Sequence, residues 1–139
     1  MKTLLFSLEN IKTNSSLLIF YAVFPNFQTM MALFEILDPC SNGENINYWL
    51  PGKETFKSNS DSEKLRKRGR PRFLQPLDEF FLTICRLRQG FAEQHLANLF
   101  HISQSAVSRI FITWIKFIFL KLGKLCQVVT WFIVVYYYY

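Results

Sequence analysis

The sequence is short of the patterns that mark metal sites, leaders and membrane spans. Its three cysteines, Cys40, Cys85 and Cys126, are isolated and odd in number, with no C-x-x-C pair and no histidine at zinc spacing. That argues against a disulfide framework and a structural zinc, and a reduced, intracellular chain with no metal or cofactor is expected. The N-terminus, MKTLLFSLENIK, has a short apolar run, but Glu9 and Lys12 cut it off before it reaches signal-peptide length. Residues 13–34 carry no charge, yet Asn14, Pro25, Asn26 and Gln28 make them a poor bilayer helix, and soluble helix is expected there. The stretch Gln127–Tyr139 has thirteen residues, short of the ~20 that a spanning helix needs. No repeat appears at solenoid periods.

What is present is apolar and basic. The chain has 139 residues, half of them hydrophobic, with 15 Phe and a net charge of +6. That length suits one domain and rules out a large multidomain enzyme. The aromatic content rules out a wholly disordered tail, which could not bury enough apolar surface to offset chain entropy. The charge is clustered. Residues 1–60 sum to −1, residues 61–125 to +7, and residues 126–139 carry none. All the excess positive charge therefore lies in the middle of the chain, as expected of a nucleic-acid contact.

Four zones follow from composition. Residues 1–50 form an N-terminal helical segment, in which Met30, Met31, Leu33, Phe34 and Leu37 recur at helical spacing beyond Pro25 and turn residues follow from Asp38. A small aromatic cluster, Tyr48, Trp49 and Leu50, closes this zone. Residues 51–75 are a basic linker of Pro, Gly, Ser and charge, with almost nothing to bury. Residues 76–125 are strongly helical. The tail, 126–139, is uncharged and β-prone, and is expected to lie outside the fold as an aggregation hazard.

Within the third zone, Pro76 suits a first helical position and Asp78 and Glu79 a first turn. Leu77, Phe80, Phe81, Ile84 and Leu87 form an apolar face, Arg86 and Arg88 point elsewhere, and Gly90 stops a helix of about 76–89. A second helix is predicted over Ala92–Phe100, with Leu96, Leu99 and Phe100 buried and Glu93, Gln94 and Asn98 exposed. After the turn His101-Ile102-Ser103, Ser103 is a natural N-cap for a third helix. There Val107, Ile110, Phe111, Trp114, Ile115 and Ile118 form the apolar face, while Gln104, Ser105, Ser108, Arg109 and Thr113 lie away from its centre.

Two helices joined by a tight turn, the second with small polar residues and Arg on its early exposed face, have the pattern of a helix-turn-helix. Ala97 allows a close helix crossing, Ile102 plugs the core, and Gln104, Ser105, Ser108 and Arg109 are left to face a groove. Gln can read adenine, Arg guanine, and Ser either bases or phosphates. His101 stands where a left-handed turn favours Gly. The bland reading is a three-helix core with no DNA role.

The run KLRKRGRPR, residues 64–72, has six Lys or Arg. Its centre resembles an AT-hook: Gly69 permits close approach to a groove floor, Pro71 holds the chain extended, and Arg68 and Arg70 reach the negative minor groove, flanked by Arg66, Lys67 and Arg72. A nuclear-import signal and a plain solvated charge run remain open for the same residues. An arm directly ahead of a helix-turn-helix resembles the homeodomain plan.

FPNFQTMMALFEILDP, NGENINYW, KRGRPR and the segment from LDEFF to LGKL together resemble the N-terminal region of Harbinger-related DDE-type transposases, over roughly residues 16–125. The resemblance implies an all-α helix-turn-helix domain that binds double-stranded DNA in the nucleus, with Ser103–Arg109 as the recognition helix and its cap. In that family a metal-dependent nuclease follows. Such chemistry needs three carboxylates on two metal ions, whereas residues 126–139 contain no acid. Asp38, Asp78 and Glu93 match no catalytic motif, and His95 and His101 read as surface residues. A non-catalytic, truncated fragment is therefore expected. Two alternatives stay open: an interaction subunit or inhibitor of an intact transposase, acting through that chain or by self-association, and a small membrane protein.

Overall fold

The computed structural model describes residues 6–40, 42–49 and 74–138, and these form six α-helices with no strand among them. They are α1 (Leu8–Ile11), α2 (Ser15–Ala22), α3 (Phe27–Leu37), α4 (Pro76–Gln89), α5 (Glu93–Phe100) and α6 (Gln104–Tyr138). The all-α expectation holds. Residues 51–73 of the linker, with the basic run Arg66, Lys67, Arg68, Gly69, Arg70, Pro71 and Arg72, lie outside the described residues, while Leu74 packs against the core.

Local chemistry sets the helix ends. The side chains of Ser7, Asn14 and Asn26 accept backbone N–H groups at the starts of α1, α2 and α3. α4 begins with Pro76 at its first position, and Gly90 ends it in the left-handed region at φ 66°. Asp78 accepts the Gln75 backbone N–H, half of a capping box. Burial nevertheless raises its pKa, outweighing that hydrogen bond, and Glu9 pushes the same way. A carboxyl raised on folding opposes folding at neutral pH, and that opposition fades as pH falls from its raised value to its ordinary one.

His101 occupies the left-handed region, φ 55° and ψ 42°, with its N–H donated to the Ala97 carbonyl. The Ile102 N–H bonds the same carbonyl at 3.0 Å, so the turn closes with its helical C-cap satisfied. A non-glycine residue there costs about 1–2 kcal/mol. Glycine loses more chain entropy on folding, which returns part of that gain. His101→Gly should therefore raise stability by roughly 0.5–1 kcal/mol, seen as a higher urea midpoint with unchanged slope.

The sequence separates the N-terminal segment from the later helices, but the fold does not. α2 packs on α4 and α3 on α6. Leu8, Ile11, Leu18, Ala22, Met30, Leu37 and Ile46 share one core with Phe80, Phe81, Leu96, Val107 and Trp114. Ring centroids of Phe34, Phe80 and Trp114 lie 5.5–6.2 Å apart. The reading of α4 is corrected in two places: Leu87 is exposed, while Leu82 and Cys85 are fully buried. The packing of α2 onto α4 widens the buried stripe beyond what one amphipathic face implies. All three cysteines are free, and burial pushes the Cys85 thiol far above its ordinary range.

No single described helix is long and apolar enough to cross a membrane; α2 and α3 together have the length and composition but bend by 44° at the break. The tail also differs from expectation. Residues 126–138 continue α6 as helix rather than running extended. Propagating an existing helix adds one hydrogen bond per residue fixed, and aromatic and β-branched residues lower helix propensity by only about 0.7 kcal/mol or less each, so β-prone composition alone does not end it.

Candidate nucleic-acid interface

The turn and the first two turns of α6 carry the candidate residues. Ser103 Oγ accepts the Ala106 N–H at 3.2 Å, which makes Ser103 the cap of α6. Its hydroxyl also lies 3.1 Å from Ser105 Oγ. Val107 is fully buried, Ile110 nearly so, and Ile102 packs against the same core. These anchors turn Gln104, Ser105 and Arg109 outward, and all three are exposed.

The surroundings of these residues are set by α4 and α5. Arg86 Nη1 donates to Glu93 Oε1 at 2.7 Å, and its guanidinium stacks 4.3 Å from the Phe111 ring centroid. The hydrogen bond from Arg86 holds the Glu93 carboxyl below its ordinary range, against a small burial penalty, and the nearby polar groups of Gln104 and Ser108 act in the same direction. Gln104 and Ser108 lie near the Glu93 carboxylate; Gln104 is exposed and Ser108 half-buried. Periodicity places them on the open face, and a carboxylate at the start of α5 stands near both. Gln104, Ser105 and Arg109 face outward, with Ser108 half-buried beside them. Arg109 makes no ion pair among the described residues.

This network gives a pH dependence of defined sign. A carboxyl depressed on folding adds stability above its ordinary pKa, about 4.3, and loses it as pH falls through the lower folded value. Glu93→Gln should flatten that part of the acid limb in a plot of thermal midpoint against pH, leaving the neutral region less changed.

One further correction concerns a residue near this face. Thr113 is buried, not lateral, and its Oγ1 accepts the Trp49 backbone N–H at 2.9 Å. Trp49 thereby lies on α6, its ring 6.0 Å from the Lys116 ammonium. Trp49, Ser105, Ser108 and Arg109 line an open concavity of about 500 Å³. The sequence carried a hint of this, since an aromatic cluster beside a polar linker has no local core to fill. His95 meets Phe91 edge-on and His101 is exposed in the turn, so the two histidines are placed as expected.

The arrangement of α4, α5, the His101 turn and α6 is that of a helix-turn-helix. Residues 72–124 match the family model described as the helix-turn-helix of DDE superfamily endonuclease. The matched helix-turn-helix takes in α4, α5 and the first part of α6, the elements that hold Ser103–Arg109, and it points to DNA binding. No curated protein and no solved structure matches the chain. Among the described residues no group of three or more His, Cys, Asp or Glu is placed to hold a metal ion.

Proposed function

We propose that the chain is a sequence-specific reader of double-stranded DNA in the nucleus that acts without cutting. The N-terminal turns of α6 enter the major groove, and the basic run 64–72 adds phosphate or minor-groove contacts. The observation that carries this reading is the exposed Ser105 and Arg109 on a helix capped by Ser103 and anchored by Val107 and Ile110 within the matched helix-turn-helix. Arg109 supplies a bidentate donor for guanine. Gln104, exposed one turn ahead of Ser108, adds an amide that can read adenine. A relation to Harbinger-type elements fits the same residues.

Selection of binding sites from random duplexes tests the reading. Arg109→Ala should lose about 1–3 kcal/mol of discrimination between the selected site and its single-base variants. A variant that keeps full discrimination removes Arg109 from the recognition role. A second reading, self-association or pairing with an intact transposase, draws support from Phe119 and Leu120 on α6, which are 74% and 61% exposed.

A further inference from the structure

We propose that the concavity between Trp49 and α6 seats one sugar–phosphate strand of the bound duplex, so that Trp49 and Lys116 are DNA-contact residues alongside Arg109. This inference rests on the DNA-binding reading above and adds where one strand lies.

Trp49 is fixed on α6 from outside the helix-turn-helix. Its backbone N–H is held at 2.9 Å by Thr113 Oγ1, itself buried, while the residue remains only half-buried. The Lys116 ammonium stands 6.0 Å from the indole centroid and the Lys116 side chain is exposed. The opposite wall is Ser105, Ser108 and Arg109. The serine hydroxyls and the Lys116 ammonium are donors that take phosphate oxygens, the Arg109 guanidinium at the rim is left to a base edge, and an indole offers a flat apolar wall to a deoxyribose.

The shape fits a strand better than a small molecule. The hollow is open, whereas small-molecule sites bury most of their ligand. Ser105, Arg109 and Lys116 follow one stripe of α6, four and seven residues apart, and Arg109 to Lys116 spans about 10 Å of helix rise. That is a line of donors and cations suited to a linear polyanion. Glu93, which reaches Ser108, is paired with Arg86 at 2.7 Å, so its repulsion of a phosphate is offset.

Contacts to phosphate position a protein on DNA without specifying sequence. The test uses the full chain, a selected duplex, and phosphate-ethylation interference with a salt titration. Lys116→Gln, at an exposed position, should remove one interfering phosphate, lower the slope of log affinity against log salt by about 0.9, and leave sequence preference unchanged. Trp49→Leu, which keeps apolar bulk and the backbone N–H, should weaken interference at the same or the adjacent phosphate. If both variants keep the parent footprint and slope, the seat is wrong while the DNA-binding reading stands. If the parent chain binds no duplex at low salt, the reading fails and the seat with it.

Discussion

Replacing Trp114 with alanine is expected to cost about 4 kcal/mol, a large share of the stability of a small domain, whose total is about 5–15 kcal/mol. Trp114 is fully buried, with ring centroids of Phe80 at 5.5 Å, Phe117 at 5.6 Å and Phe34 at 6.2 Å. It joins α3, α4 and α6, so the cavity would open where three helices meet. Urea unfolding followed by helical circular dichroism should show a midpoint well below that of the parent. Trp114→Phe separates two effects, since it keeps a ring but loses the indole N–H, and should cost less. A parent-like midpoint for the alanine variant would mean that the aromatic cluster does not hold the helices together.

Glu79→Ala should cost about 3 kcal/mol, within the range for removing one partner of buried polar groups. Glu79 is 3% exposed, and its Oε2 accepts both the Trp114 indole N–H, at 3.0 Å, and the Tyr48 hydroxyl. Truncation strips both donors of that acceptor. Because Tyr48 belongs to the N-terminal segment, the loss should also loosen residues 48–49 from α6. Glu79→Gln keeps an acceptor oxygen and should fall between the parent and Glu79→Ala in the same urea assay. Equal stability of all three chains would contradict the bridging role.

Much of the helix-turn-helix was legible because its determinants are local. Pro76 and Gly90 delimit α4 as Pro76–Gln89, His101 takes the left-handed turn, and Ser103 caps α6. Each needs only a few neighbouring residues. The less legible features are long-range. Glu79 sits in a first turn, where a solvent-exposed acid and a buried acceptor look alike; only Tyr48, 31 residues earlier, and Trp114, 35 later, tell them apart. The Trp49 bond to Thr113 spans 64 residues. Periodicity says which face of a helix is apolar but not what covers it, so the shared core of α2, α3, α4 and α6 could not be read from pattern. The candidate site follows the same division. The outward placement of Gln104, Ser105 and Arg109 follows from helix phase alone, whereas the approach of the Glu93 carboxylate to Ser108 depends on how α5 meets α6.

The central claim is that the amino-terminal face of α6 reads duplex DNA. The most direct measurement is an equilibrium titration of the full chain against its selected duplex and a scrambled duplex of equal length, repeated across a salt series. The account predicts that affinity for both falls as salt rises, with a slope of about 0.9 per phosphate neutralised, and that the selected duplex keeps its advantage throughout. Equal affinity for the two duplexes, or no binding to either at low salt, would contradict it.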